Sequence, residues 1–229
     1  MSVATHSAPQ GSARWSKLAP LLGLGFVVLV VASVATGNTP NTSNSPASIL
    51  AYYRTHTGQE TASAFFVAPA VVIGLFWFAY LRNWLQRDDV HERWGAIAFA
   101  GGILFAVTGA VAGGVELALV DTTKNLTPAT ATALNFLEGD IPFLLASMAF
   151  GTMAIAAGIA MIKSRALPTW LGWFSLVVGI VGILPIGDFF ALPAIGVWSL
   201  LVAGVIWFRT DPEGKLSPVT STGELVPTS

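Results

Sequence analysis

Six long apolar runs dominate this sequence and leave few folds open to it. They are Leu18 to Thr36, Ala62 to Leu85, Gly95 to Val120, Phe136 to Ile162, Leu171 to Ile186 and Leu192 to Phe208. A helix needs about 20 mostly apolar residues, each rising 1.5 Å, to cross a hydrocarbon layer about 30 Å thick. The first four runs meet that length and the last two lie at its short limit. None alternates apolar and polar residues as a barrel strand does, and each is about twice too long for one. The expectation is an all-α fold, a polytopic membrane helical bundle with about six transmembrane helices. Charge agrees: 10% of the residues are charged, against about 25% in soluble domains, too few to clothe a water-facing surface.

Orientation follows from the basic residues, which favour cytoplasmic segments. With the N-terminus inside, Arg14, Lys17, Arg82, Arg87, Arg93, Lys163, Arg165, Arg209 and Lys215 all fall inside, and only Arg54 and Lys124 fall outside. Trp15, Trp84, Trp94, Trp170 and Trp207 land at the inner boundary, where aromatic rings settle. Both signals put both termini in the cytoplasm. Arg14 and Lys17, followed by an apolar run and Ser33-Val34-Ala35, have the order of a signal peptide. The run is long for one, so the reading is a retained span.

Outside the spans, residues 1–17 and 209–229 read as polar, disordered cytoplasmic tails. The outer loop, 37–61, holds a helix start at Ser45-Pro46, with Ser as N-cap and Pro at the first helical position. A short surface helix through Ile49, Leu50, Tyr52 and Tyr53 should follow. Thr127-Pro128 is a second start of the same kind and begins the fourth helix well before its apolar run. Glu138-Gly139-Asp140-Ile141-Pro142 reads as a proline kink or a break.

Composition also excludes chemistry. The chain has no cysteine, which removes thiolate nucleophiles, disulfides and Fe–S ligation. Its four lysines lie outside the spans, so a retinal Schiff base has no partner. His6, His56 and His91 lie outside too, which removes haem ligation within the bundle. A net charge of −1 gives no field for nucleic acid. No G-x-S-x-G elbow, H-E-x-x-H helix or phosphate loop is present. The reading is non-enzymatic.

Carboxylates are the one candidate site. Glu60, Glu116, Asp121, Glu138, Asp140 and Asp188 all fall on the outer side or at its boundary. Trp94 to Glu116 spans about 33 Å of helix and Asp140 to Lys163 about 35 Å, so Glu116 and Asp140 share a depth at the outer edge. Glu116 shares a stripe with Gly102, Gly109 and Gly113. Asp140 shares one with Ser147, Gly151, Ala154 and Gly158. Small residues gather where helices approach closely, so both acids should face helix contacts. The candidate is an outward-facing acidic pocket of Glu116 and Asp140 with Glu138 and Asp188. Its oxygens would suit a cation, with Glu116 and Asp140 as metal ligands, or a cationic small molecule. The competing reading is a set of water-facing acids that balances the positive-inside pattern.

Tyr52-Tyr53-Arg54-Thr55-His56, Leu81-Arg82, Phe99-Ala100-Gly101-Gly102 and Arg165 through Trp173 carry a resemblance. Over Ser45 to Phe208 the chain resembles a broad group of uncharacterised actinobacterial multi-pass membrane proteins, of the domain-of-unknown-function type. The resemblance implies a bacterial plasma membrane location and no activity.

Three functions fit these readings. The first is a small transporter-like carrier or an accessory subunit, with the lipid bilayer and a partner membrane subunit or homo-oligomer as its partners. The second is a membrane enzyme acting on a lipid or lipid-linked substrate at the outer leaflet. The third is an outward-facing sensor or ligand-binding protein. An open, polar-lined cavity would favour transport, a lateral opening beside Glu116 and Asp140 lipid chemistry, and a solid bundle an accessory role.

Overall fold

The computed structural model describes residues 18–86, 89–165, 167–184 and 188–209, with the side chains of 89–91 and 188–192 outside that description. Residues 1–17 and 210–229 of the expected tails, with Trp15, Arg87 and Lys215, therefore lie outside the described residues. Among the described residues the fold is all helix: α1 Pro20–Thr36, α2 Pro46–Thr55, α3 Thr57–Leu85, α4 Asp89–Thr122, α5 Pro128–Glu138, α6 Asp140–Ser164, α7 Thr169–Ile183 and α8 Asp188–Arg209. Three helical stretches are long and apolar enough to cross a membrane: Thr57–Leu85, Glu92–Thr122 and Pro128–Ser164. Pro20–Thr36, Thr169–Ile183 and Pro193–Arg209 are shorter apolar helices.

The local start signals act as chemistry requires. The Ser45 hydroxyl accepts from the Ser48 N–H at 3.3 Å and starts α2. The Thr127 hydroxyl accepts from the Thr130 N–H at 3.2 Å and starts α5. The Glu138–Pro142 segment is a break: α5 ends at Glu138, and Gly139, with φ −95° and ψ −77°, turns the chain into α6. Pro69 by contrast sits within a continuous α3. The loop after α1 is shorter than its sequence suggested, because α3 begins at Thr57 and only His56 separates it from α2.

The long helices pack antiparallel. Gly113 faces Val67, Gly109 faces Val71 and Gly102 faces Phe78, so the register climbs α3 as it descends α4. On α6 and α7, Gly151 faces Gly179 and Gly158 faces Gly172 in the same sense. A Cβ on Gly158 would stand 2.7 Å from the Gly172 carbonyl oxygen, and one on Gly151 2.7 Å from that of Gly179. Only glycine lets two backbones meet so closely. The α6 helix sits in the middle, with Phe150, Met153, Ala154, Ala157, Ala160 and Met161 all buried. Trp77, Phe78, Leu81 and Trp198 fill the rest of that core. The outward faces are apolar as well: Val28 and Val31 on α1, Phe65 and Phe76 on α3, Val107 and Val111 on α4, and Val177 and Ile180 on α7 are exposed.

One end of the bundle carries a cap. Ile49, Leu50 and Tyr53 of α2 close over Leu119 of α4 and Ala131 of α5 in a small second core. The Tyr53 hydroxyl donates to Asn135 Oδ1 at 2.7 Å, and Asn135 Nδ2 donates to the Pro40 carbonyl at 2.9 Å. Tyr53 and Asn135 are 1% and 0% exposed, so these bonds are made away from water.

Candidate functional site

Beneath the cap lies a cavity of about 330 Å³, walled by α1, α3, α4 and α6. Its polar end is built from four segments that meet only in the folded chain. The chain leaving α1 contributes Gly37, Asn38 and Thr39, α3 contributes Glu60 and Ser63, α4 contributes Glu116, and the α5–α6 break contributes Glu138 and Gly139.

Glu60 is the hub. It stands in the first turn of α3, where the helix dipole favours an acid, and is 2% exposed. Its Oε1 accepts from the Tyr52 hydroxyl at 2.7 Å and from the Asn38 N–H at 3.2 Å. Gly37 is required beside it: a Cβ there would stand 2.5 Å from Ser63 Oγ and 3.0 Å from Glu60 Oε2. Glu116 is 5% exposed and lies close to the Glu60 carboxyl and the Ser63 hydroxyl. Ser63 in turn meets Ser33 Oγ at 3.2 Å. Glu138 accepts from the Thr39 hydroxyl at 3.0 Å through Oε1. Its Oε2 is buried and has no hydrogen-bond partner. Two carboxyls held close together either share a proton or hold a cation between them. No Lys, Arg or His is among the described residues that line the cavity.

The tyrosines of the cap take their chemistry from this end. Burial first, then the hydrogen bond to Glu60, holds the Tyr52 phenol well above its usual range. Burial first and the Glu138 carboxyl next do the same to Tyr53. Both therefore serve as hydroxyl donors. The Tyr52 ring also stacks on His56, with centroids 4.2 Å apart.

Away from the carboxyls the walls turn apolar and small: Val67, Ala70, Val71 and Gly74 on α3, and Ala106, Gly109, Ala112 and Gly113 on α4. The floor is Phe26 and Phe105. Glu116 to Phe105 is about 16 Å along α4, and Glu60 to Gly74 about 21 Å along α3. The cavity is thus a shaft with an acidic end beneath the cap.

Of the acids expected to form a pocket, the fold brings Glu116 and Glu138 to the cavity. Asp140 is exposed and is not among the lining residues. Asp188 begins α8, and its side chain lies outside the described residues. No group of three Asp, Glu, His or Cys close enough to hold a metal ion occurs among the described residues. The residue that sequence reasoning left out of the site is Glu60, and the stripe criterion applied to α4 and α6 would have found it. On α3, Glu60, Ser63, Val67, Ala70 and Gly74 are spaced 3, 4, 3 and 4, one face of a helix ending in a carboxylate. No protein-family model, curated protein or solved structure matches this chain.

Proposed function

We propose that the chain is a multi-pass plasma membrane protein of six spans, with both termini cytoplasmic, that binds a small cationic ligand at its outer face. The six spans would be α1, α3, α4, α6, α7 and α8. The three helices long enough to cross support this, as do the apolar residues exposed around the bundle, since soluble monomers rarely expose large contiguous apolar patches. Cap and cavity then belong to the outer half. Trp84, Trp94, Trp170 and Trp207, with Arg82, Arg93, Lys163 and Arg165, belong to the inner boundary. Lys163 rests over the Trp94 ring at 5.6 Å, a cation–π contact suited to that boundary.

The observation that carries the binding role is the acidic end of the shaft: Glu60, Glu116 and Glu138 line it, with no basic side chain among the described lining residues. A ligand ammonium or amine would take the place of the absent counter-charge, and the buried, partnerless Glu138 Oε2 would accept from it. The role is that of a carrier or receptor rather than an enzyme. Its size sits at the low end of small-ligand sites, about 300–1,000 Å³.

Two measurements test this reading. The chain has no cysteine of its own, so Ser43→Cys and Arg165→Cys report topology with an impermeant maleimide. Ser43→Cys is expected to label in intact cells and Arg165→Cys only after permeabilisation; the reverse pattern refutes the orientation. For binding, n-butylamine should raise the melting temperature of the full chain in nanodiscs. Glu116→Gln and Glu60→Gln should each abolish that shift. An unchanged shift in both variants refutes the site.

A further inference from the structure

The walls of the shaft say more about the ligand than its acidic end does. Thr108 is the one hydroxyl among the described residues on the deep part of the lining, and it donates to the Leu104 carbonyl at 2.8 Å. Ser33 and Ser63, higher up, are turned to each other. Below them the described side chains offer a ligand no free polar group. The lower shaft suits a chain of methylenes and gives a hydrophilic ligand no partner.

Two of the helices that wall the shaft are not direct neighbours. The α3 helix packs along both α1 and α4, and α4 packs along α6; α1 and α6 share no extended contact with each other, and α8 packs against both. The seam between them is walled by Val30 and Val34 of α1 and by Phe143 and Ala146 of α6. Val34 lines the cavity and is 58% exposed, so the cavity is not sealed at this seam. With the bundle in a bilayer, that seam faces the acyl chains of the outer leaflet.

Resting on the binding role proposed above, we infer that the ligand is a single-chain cationic amphiphile. Its ammonium sits at the acidic end of the shaft, which Glu60, Glu116 and Glu138 line, and its chain lies down the shaft toward Phe26 and Phe105. Charge complementarity selects the head, since a phosphate or carboxylate would meet three acids and no cation. The volume of about 330 Å³ selects one chain rather than two. Gly109 sets the bore. A Cβ there meets only Val71 Cγ2 at 3.7 Å, an ordinary contact, so a larger side chain at this position is accommodated at its base and projects into the shaft.

The test compares the wild-type chain with Gly109→Leu in nanodiscs of one lipid composition, using n-butylamine, n-dodecylamine and dodecanoate as probes and thermal unfolding as the readout. Both proteins meet the same bilayer, so partitioning of the probes into lipid cancels. Dodecylamine should stabilise the wild type and dodecanoate should not. Gly109→Leu should weaken dodecylamine by about ten-fold or more, as overpacking of a fitted site does, and leave butylamine unchanged. If butylamine binds and Gly109→Leu affects neither amine, the chain-binding shaft is wrong and the acidic site stands. Stabilisation by dodecanoate equal to that by dodecylamine overturns the cationic head. If neither amine stabilises the wild type, the binding role itself falls.

Discussion

Removing one oxygen atom from the cap should loosen it measurably. Tyr53→Phe keeps the ring, its packing on Ile49, Leu50 and Leu119, and its edge-on contact with Tyr52 at 5.5 Å. It deletes only the hydroxyl that donates to Asn135 Oδ1 at 2.7 Å. Asn135 is 0% exposed, so no water replaces the donor and Oδ1 is left bare. Orphaning a buried acceptor costs about 1–3 kcal/mol. At about ten-fold per 1.4 kcal/mol, amide exchange in α2 and α5 should speed up by about 5- to 150-fold. Hydrogen exchange by mass spectrometry on peptides covering 46–55 and 128–138 reads this directly, with α6 peptides as an internal reference. The same substitution made on an Asn135→Leu background should have much less effect, because the acceptor has gone. Exchange in α2 and α5 unchanged within about two-fold would refute the buried bond, as would an equal effect of Tyr53→Phe in both backgrounds.

Two further outcomes follow from the geometry. Gly158→Ala forces a Cβ to 2.7 Å from the Gly172 carbonyl and should destabilise the bundle by about 1–3 kcal/mol, whereas Gly114→Ala, with nothing within 4 Å, should be neutral or gain up to about 1 kcal/mol. Thermal unfolding of the pair in one detergent checks this, and equal melting temperatures would refute the close helix approach. The Tyr52 and Tyr53 phenols, held up in the folded chain, add stability that is full below the unfolded value near pH 10 and is lost as pH rises beyond it toward the folded values. A near-ultraviolet titration of wild type against Tyr52→Phe and Tyr53→Phe should therefore find both phenols protonated well past pH 10 until the cap unfolds; ionisation of either near pH 10 in the folded chain would refute their burial.

The sequence by itself determined the helices and several of their ends. Hydropathy is a property of consecutive residues, and an N-cap acts across three positions, so the apolar runs, Ser45-Pro46 and Thr127-Pro128 could be read without knowing any partner. The sequence also marked Glu116 and Glu138 as acids at the rim of their helices. Tertiary structure alone decided which acids meet. Glu60 joins Glu116 because small residues let α3 and α4 approach antiparallel, with Gly113 against Val67 and Gly109 against Val71. Asp140 stays exposed because the chain turns at Gly139 and begins a new helix there. The cavity itself lies where α1, α3, α4 and α6 surround a space that none of them fills. Rotation about a helix axis and choice of neighbour are set by packing across the whole bundle, and no local run of residues encodes them.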